Sequence, residues 1–402
     1  MNQVINIKLV PKLRFPEFRN NSGWLLKTIA ETCDILNNLR KPVTSTHRLK
    51  GKYPYYGASG IVDFVDDYIF NERLLLVGED GAKWGSFENT AFIAEGKYWV
   101  NNHAHVLRTL EIIDILLENY LVMIDLSKYV TGAAPPKLTL GKLKEIPIPI
   151  PINKTEQQKI ADCLSSLDDL ITAETQKLDA LKDHKKGLMQ QLFPGEGEME
   201  PKLRFEEFRG SGEWEELPLG KAAEIITGNT PPTNDTNNYG GERLFVSPAD
   251  ISNGRFITQT KTKLSEKGYS LTRRIKENSV LFVCIGSTIG KVAQNKYECA
   301  TNQQINSLVP YEAYSSDFIY SALEFKASKI AAIAGNHAVP IINKSLFSSV
   351  LVGFPSFKEQ EKIAKCLSTL DELISAQTEK IVELQKHKKG LMQGLFPVIK
   401  TK

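Results

Sequence analysis

Two long segments of the chain carry hydrophobic residues at intervals that alternate between four and three positions. This heptad spacing in residues 155–194 and 358–397 predicts two long helices, each with one apolar stripe. We call the stripe the seam, and its hydrophobic members are Ile160, Leu164, Leu167, Ile171, Leu178 and Leu181 in the first helix and Ile363, Leu367, Leu370, Ile374, Ile381 and Leu384 in the second. A helix of about 35 residues is about 50 Å long. Antiparallel pairing of the two helices would cover both seams and form a coiled coil.

The helix segments belong to an internal repeat. Residues 155–194 and 358–397 are identical at 26 of 40 positions. A second repeated motif precedes each half, because Pro11-Lys12-Leu13-Arg14-Phe15 returns as Pro201-Lys202-Leu203-Arg204-Phe205. The segments between these motifs diverge strongly and keep faint matches, such as Asn102 with Asn302. The duplication predicts the order variable domain, helix, variable domain, helix.

The expected fold class is α/β, in an α+β arrangement of two mixed domains joined by the two long antiparallel helices. The expected boundaries are 1–152 for the first domain, 153–194 for its helix, 195–355 for the second domain and 356–402 for its helix. Short apolar runs predict strands at Leu74–Val77 and Val280–Cys284, and longer ones predict helices at Leu110–Leu126 and Phe318–Ala334. Two similar units can pack about a pseudo-twofold axis, and tandem duplication without that symmetry is the alternative.

The predicted helix starts have the spacing of a capping box, in which a polar first residue and a glutamate three positions later cap each other. The two boxes are Asn153-x-x-Glu156 and Ser356-x-x-Glu359. These spacings signal where the two long helices start.

Composition narrows the class of protein. The 402 residues are 42% hydrophobic and 24% charged, which excludes a disordered, collagen-like or low-complexity chain. No apolar run reaches about 18 residues, so no membrane span is expected. The five cysteines form no C-x-x-C pair, which argues against a disulfide framework or a four-thiolate zinc site and fits a reducing cytoplasm. Because the net charge is only +3, any nucleic-acid interface must depend on local charge.

The first domain has a basic segment at residues 37–60 that contains no acidic residue. Basic groups can contact phosphates, and tyrosine or amide groups can reach base edges or sugars. The candidate DNA-binding residues of this domain are Lys41, Arg48, Lys50, Lys52, Tyr55, Tyr56, Asn102 and His103. A solvated charged loop is the alternative for this segment.

The second domain has ten Lys or Arg against four Asp or Glu in residues 243–298, a local charge of +6. Such a patch could supply much of the affinity for DNA through counterion release. The candidate DNA-binding residues here are Arg255, Lys261, Lys263, Arg273, Arg274 and Gln303. Glutamine and asparagine can bond adenine bidentately, although hydrogen-bonding turn residues are the alternative for each one.

No catalytic residue and no metal ligand are predicted. A nuclease-like pattern, Asp80 followed by Glu95-x-Lys97, is explained by chance because Glu-x-Lys recurs elsewhere in the chain. His103-x-His105 lacks a third ligand at the spacing of a zinc site.

This order of motifs resembles the specificity subunit of type I restriction–modification systems over nearly the whole chain. The segments that carry the resemblance are Pro11–Phe18 and Pro201–Phe208, the helix entries Glu156-Gln157 and Glu359-Gln360, the helix endings Gly187-Leu188-Met189-Gln190 and Gly390-Leu391-Met392-Gln393, the stretches 52–60 and 101–105 in the first domain, and Gly228-Asn229-Thr230-Pro231 in the second. The resemblance implies two target recognition domains, each reading one half of a bipartite, asymmetric site in double-stranded DNA. It implies helices that set the gap between the halves.

The resemblance also implies partners. Two methyltransferase subunits would dock on the helices, carry S-adenosylmethionine and methylate adenine, and restriction subunits would add ATP- and Mg-dependent translocation and cleavage. The chain itself would bind no cofactor and do no chemistry. Two alternatives remain: a stand-alone restriction endonuclease with two recognition domains, and a coiled-coil assembly adapter that does not bind DNA.

Overall fold

The computed structural model describes residues 9–251, 254–335 and 340–399. It divides into two compact units, which we call unit 1 (Met1–Glu174 with Lys380–Lys402) and unit 2 (Thr175–Glu379). The expected domains were consecutive segments of the chain, each ending where the next begins. The compact units are divided differently, because unit 1 combines the first part of the chain with its last residues. Each unit contains part of both long helices as well as one globular portion of the chain.

Unit 1 holds three short helices and ten strands among its described residues. The helices are α1 (Ile29–Thr32), α2 (Asp114–Met123) and α3 (Leu140–Lys144). The strands are β1 (Leu25–Thr28), β2 (Cys33–Ile35), β3 (Lys50–Gly57), β4 (Gly60–Val65), β5 (Phe70–Asn71), β6 (Leu74–Gly78), β7 (Ala91–Ala94), β8 (Lys97–Val100), β9 (Ala104–Thr109) and β10 (Pro147–Ile150). They form sheets in the orders β2-β9-β6-β7, β4-β3-β8-β5 and β1-β10. Strand β6 is fully buried at the centre, and β3 pairs with β8 in parallel.

The first long helix, α4 (Lys154–Leu192), follows β10. Unit 2 contains the helices α5 (Leu219–Ala222), α6 (Glu266–Ser270), α7 (Ser316–Ile333) and α8 (Lys344–Ser348). Its strands are β11 (Glu215–Pro218), β12 (Ala223–Thr227), β13 (Tyr239–Val246), β14 (Phe256–Ile257), β15 (Thr262–Leu264), β16 (Arg274–Ile275), β17 (Val280–Val283), β18 (Val292–Asn295), β19 (Cys299–Thr301), β20 (Ile305–Pro310) and β21 (Leu351–Phe354). The second long helix, α9 (Phe357–Leu395), follows β21.

The two units share one topology. The sheets of unit 2 have the orders β12-β20-β17-β18-β14, β15-β13-β19-β16 and β11-β21. These orders repeat those of unit 1 strand for strand, apart from the added edge strand β14. The mixed α/β fold is therefore confirmed, and it is retained in two segments whose sequences have diverged.

The predicted internal elements are found with shifted ends. Strands β6 and β17 occupy the two predicted strand segments, and α7 begins two residues before the predicted helix start. Helix α2 begins only at Asp114, four residues later than predicted. The preceding residue, Ile113, is extended, and its N–H donates to Oε1 of Gln157 at 3.1 Å. That bond holds the chain away from helical geometry.

Each long helix is fixed at its entry by an arginine–glutamate pair, which we call the helix-entry clamp. In unit 1, Arg14 donates from Nε and Nη2 to the two oxygens of Glu156 at 2.7 and 2.8 Å. Trp24 Nε1 donates to the same carboxylate at 3.1 Å. In unit 2, Arg204 makes the same two bonds to Glu359, both at 2.8 Å. Each repeated motif before a globular portion therefore supplies the arginine that binds the start of a long helix.

The clamp replaces the predicted capping boxes. Asn153 does cap α4, because its Oδ1 accepts the N–H of Thr155 at 2.8 Å. Glu156, however, turns to Arg14 instead of bonding back to Asn153. A guanidinium that bonds both carboxylate oxygens competes successfully with a single backbone N–H.

The two long helices run antiparallel. In unit 1, Lys388 Nζ lies 2.6 Å from Asp168 Oδ1, and Lys380 Nζ lies 2.5 Å from Glu174 Oε1. Moving forward along α4 from Asp168 to Glu174 thus moves backward along α9, as antiparallel helices require. The predicted pairing is confirmed by these contacts.

The seam lies on the less exposed stripe of both helices. All twelve hydrophobic seam residues are buried or half-buried. By contrast, Leu170 and Leu373, which lie off the seam at matched repeat positions, are 42% and 49% exposed. The heptad pattern therefore separates the covered face from the solvent face.

No helix within the described residues is long and apolar enough to cross a membrane.

A half-buried carboxyl group on α2 makes unit 1 sensitive to pH. Burial is the main cause that raises the pKa of Glu118 from 4.5 to about 7; the charge of Lys388 opposes the rise and that of Asp168 adds to it. Since the folded pKa exceeds the unfolded one, the stabilisation is complete below about pH 4.5 and is lost as pH rises through 7.

We expect unit 1 to lose about 1 kcal/mol of unfolding free energy between pH 6 and pH 8. Glu118→Gln should remove this loss, and the exposed Glu145→Gln should not. Urea melts at both pH values measure the effect. Equal pH dependence in the Glu118→Gln variant and the unmodified chain would contradict it.

Candidate nucleic-acid interface

A short turn between β8 and β9 is rigidly held while its tip remains exposed. The buried Asn101 donates its N–H to Tyr56 O at 3.1 Å, and its Oδ1 accepts the N–H of His103 at 2.8 Å. Glu79 N donates to His103 O at 2.8 Å. The side chains of Asn102 and His103 both face solvent. The backbone of this turn is therefore fixed, and its outward side chains are free to meet a ligand.

Asp80 orients the imidazole of His103. The His103 Nδ1 is hydrogen-bonded to Asp80 Oδ1, and Lys137 Nζ lies 3.6 Å from Asp80 Oδ2. An ionised carboxylate only accepts hydrogen bonds, so Nδ1 carries the proton and Nε2 is the acceptor of the neutral ring. The sequence had suggested Asp80 only as part of a nuclease-like pattern. Its position two residues after the end of the buried strand β6 was the signal for a site residue.

The charges beneath this turn balance one another. Arg40 Nη1 lies 2.5 Å from Glu79 Oε2, and Lys137 Nζ lies 2.8 Å from Glu79 Oε1. Burial alone would raise the pKa of Glu79, but the hydrogen bonds from Arg40 and Lys137 outweigh it and lower that pKa. With Asp80, the group holds two cations and two carboxylates. This group of four side chains has little net charge and presents hydrogen-bond donors and acceptors in fixed directions. Such a surface is better suited to contact base edges than to contact phosphates.

His105 lies inside unit 1 and does not form a metal site with His103. Its side chain is fully buried, its Nε2 lies 2.7 Å from Leu138 O, and its Nδ1 lies 2.8 Å from Asn37 Nδ2. Both ring nitrogens are therefore occupied. The described residues contain no group of three or more His, Cys, Asp or Glu arranged for a metal ion.

The basic candidates of unit 1 differ in exposure. Lys41, Lys50 and Lys52 are exposed. Arg48 is half-buried, with Nη1 3.2 Å from Asp63 Oδ2 and its guanidinium 4.4 Å from the centre of the Tyr55 ring. The three lysines are thus the residues of this segment that a phosphate could approach.

Tyr55 corrects the candidate set. It is 1% exposed, and its hydroxyl accepts the N–H of Val43 at 2.9 Å, so it belongs to the core and cannot reach DNA. Tyr56 is half-buried, with its ring 5.6 Å from Phe92 and 5.5 Å from Tyr98. Alternation along β3 places one tyrosine on the inner face of the sheet, which local charge could not reveal.

Unit 2 contains the counterpart of the exposed turn. Asn302 N donates to Val246 O at 3.0 Å, its Oδ1 accepts Gln304 N at 3.1 Å, and Cys284 N donates to Gln304 O at 2.8 Å. Asn302 is therefore equivalent to Asn101, which corrects the sequence match of Asn302 with Asn102 by one position. The exposed tip residue is Gln303.

Gln303 is also oriented by a neighbour. Its Oε1 accepts a hydrogen bond from Thr230 Oγ1 at 2.7 Å, and its side chain is exposed. Thr230 lies in the Gly228-Asn229-Thr230-Pro231 segment that carried part of the resemblance. The nearby Arg273 Nη1 donates to Thr227 O at 2.6 Å and remains exposed.

The other basic candidates of unit 2 have different surroundings. Lys261 and Arg274 are exposed, and the Arg274 guanidinium lies 5.4 Å from the Tyr269 ring centre. Lys263 is half-buried and pairs with Glu242 at 2.6 Å. Lys261, Arg273 and Arg274 are therefore the candidates that solvent can reach most freely.

Arg255 is a second correction. Its side chain is 3% exposed, with Nη2 2.5 Å from Asp317 Oδ1 and Nη1 2.7 Å from Ser368 Oγ. Its guanidinium also lies 4.7 Å from the centre of the Tyr320 ring. It packs α7 against α9 and leaves no face for a phosphate. A count of local charge cannot distinguish such a buried arginine from a surface one.

The nuclease-like pattern is not assembled as a unit. Asp80 is engaged with His103 and Lys137, whereas Glu95 pairs with Arg73 at 3.0 Å. The two carboxylates have separate partners.

The chain matches known proteins on both of its units. A family model described as the type I restriction modification DNA specificity domain matches residues 21–183 and again 211–386. The type I restriction enzyme HindI specificity subunit of Haemophilus influenzae is 35% identical over 149 residues, which are 36% of this chain and 32% of that protein. The EcoR124I/EcoR124II specificity subunit of Escherichia coli is 28% identical over 246 residues, 59% of this chain and 58% of that protein. These matches span less than two thirds of each relative's length.

A solved structure extends the likeness to the fold of the whole chain. The crystal structure of a type I restriction-modification system S subunit from M. genitalium superposes with a TM-score of 0.65 and 17% sequence identity. It covers 98% of this chain and 100% of that one.

Proposed function

Because this chain belongs to the family of type I restriction modification DNA specificity domains, we propose that it selects the DNA sequence on which a type I restriction–modification complex acts. The observation that carries the proposal is that the family match falls on both units, which share one topology. Each unit reads one half of a bipartite site. The halves differ because the outward residues of the two units differ.

Phosphate contacts give each unit its affinity and base contacts give its specificity. Lys41, Lys50 and Lys52 contact phosphates in one half, and Lys261 with Arg273 and Arg274 do so in the other. The paired helices hold the two readers at a set distance. Two half-sites read from one face of DNA lie about 34 Å apart, within the reach of a helix of this length.

The helices also dock two methyltransferase subunits. Their repeat-identical exposed residues include His184 and Lys186 and their equivalents His387 and Lys389, so one kind of partner meets the same face twice. The chain supplies the sequence address and no chemistry of its own. Those partners carry S-adenosylmethionine and extrude the target adenine for methylation, and restriction subunits add ATP and Mg.

A binding assay tests this function. Labelled duplexes that contain or lack the host's methylation motif are mixed with the full-length chain at a stated salt concentration. Preferential binding of the motif is expected, by a factor of about 10³ or more over random DNA. Equal binding of all duplexes, or no binding, would reject the proposal, and cutting of DNA by the isolated chain with Mg would favour the endonuclease alternative.

Replacing Arg273 and Arg274 together with alanine should weaken binding to every sequence alike. Each lost phosphate contact reduces the slope of log affinity against log salt concentration by about 0.9. The slope should therefore become shallower by up to about 2. Affinities measured over a salt series, with melting temperatures to confirm folding, give the result.

The matched control is Lys329→Ala, which removes an exposed charge outside the basic region of residues 243–298. An unchanged salt slope in the double-alanine variant would remove both arginines from the interface.

A further inference from the structure

The exposed turns of the two units have the same backbone frame and different outward residues. In each, an asparagine donates its N–H to the strand behind it, and its side-chain oxygen accepts the N–H two residues later. The carbonyl at the end of each turn is held by the residue after a central strand, Glu79 in unit 1 and Cys284 in unit 2. The outward residues are Asn102 and His103 in unit 1 and Gln303 in unit 2. Gln304, which occupies the position of His103, is half-buried and bonded to Asn302 and Ile285.

Two units that read unlike half-sites need turns with the same backbone geometry and different outward side chains. The frame fixes the position of the side chain, and the side chain determines which base edge it can bond. Sequence divergence since the duplication has changed the tips while the three framing bonds persist.

In each turn a second side chain orients the tip. Asp80 holds Nδ1 of His103, which directs Nε2 outward as an acceptor. Thr230 occupies Oε1 of Gln303, which leaves the Nε2 amide group as the outward donor. An acceptor matches the exocyclic amino groups of adenine or cytosine, and a donor matches guanine O6 or N7, or thymine O4.

On the premise of the proposed function, we propose that these two turns are the base-reading elements, one for each half-site, with Asp80 and Thr230 as positioning residues. His103 reads an amino group in the major groove through Nε2. Gln303 reads a carbonyl or ring-nitrogen acceptor through its amide. The flanking lysines and arginines contribute affinity without choosing bases.

The test is a selection from random DNA. Full-length chain is mixed with duplexes randomised in two halves separated by spacers of several lengths, and the bound duplexes are sequenced. Replacing Asn102 and His103 together with glutamine copies the tip of unit 2 into unit 1. This variant should change base preference by about tenfold or more at one or two neighbouring positions of one half, and leave the other half unchanged.

Gln303→Ala should alter the opposite half. Asp80→Asn should alter the same position as His103→Gln, because it releases the ring orientation and removes no direct contact. The control Lys52→Ala should lower binding to all sequences and preserve the preferences. Melting temperatures identify variants that fail to fold. The exposed Asn102→Ala then replaces a failed variant of unit 1, and Gln303→Asn replaces a failed variant of unit 2.

Three results would overturn the assignment: uniform loss of affinity with unchanged preferences, changes in both halves from one turn, or changes at neither. These results leave the proposed function intact, because the unmodified chain still selects a bipartite sequence. If the unmodified chain itself enriches no sequence, both the assignment and the proposed function fail.

Discussion

Glu156→Ala is expected to lower the free energy of unfolding of unit 1 by about 3–5 kcal/mol. The carboxylate is 1% exposed and accepts two bonds from Arg14 and one from Trp24 Nε1. Its removal leaves a guanidinium that is 7% exposed without its ionic partner, and a buried indole N–H without its acceptor. Both groups have already lost their water, so their desolvation is no longer compensated.

The matched control is Glu17→Ala. Glu17 pairs with Lys159 at 3.7 Å, and both side chains are about half exposed, so its loss should change stability by less than about 1 kcal/mol. Urea unfolding followed by circular dichroism measures both variants. A Glu156→Ala effect no larger than that of Glu17→Ala would mean that the clamp does not fix the helix entry.

Removal of seven residues from each long helix should shorten the spacer of the recognised DNA by about three base pairs. Deleting residues 172–178 and 375–381 removes one heptad from each helix, so the remaining seam residues keep their phase. Seven residues of helix span about 10 Å, and each base pair rises about 3.4 Å. Both half-site sequences should remain the same, because neither turn is altered.

The spacer experiment uses the same random duplex pool, read out by spacer length. Circular dichroism confirms that the shortened helices still form. An unchanged spacer with an unchanged affinity would show that the helices do not set the distance. Loss of all spacer preference would show that the readers are not held by the helices.

The heptad pattern was sufficient to predict the long helices because it is local and repeats over many turns. Twelve seam positions therefore agree with the observed burial. The capping-box spacings marked the helix starts correctly, because α4 begins directly after Asn153 and α9 directly after Ser356. They did not reveal the partner of the glutamate. The local pattern offers Asn153 as the partner of Glu156, but Glu156 bonds instead to Arg14, which lies 142 residues away in sequence. Only the assembled fold brings these two charges together.

The sequence predicted which segments carry the candidate interface, but it did not predict which side chains of those segments are exposed. The basic segments include exposed lysines, but they also include Arg255 and Tyr55, which folding buries. Local charge does not record on which side of a strand a residue lies. Asn102, His103 and Gln303 were candidates because their segments match between the two halves and because asparagine and glutamine can bond adenine bidentately. Asp80 and Thr230 were not recognised as their positioning partners, because the loops that carry them meet the turns only in the folded chain.

The measurement that tests the central claim most directly is a map of methylated adenines in the host genome, made with and without this chain. The account predicts that one bipartite motif with two unlike halves and a fixed gap is methylated only when the chain is present. Methylation of the same motif in its absence would contradict the claim that this chain selects the address.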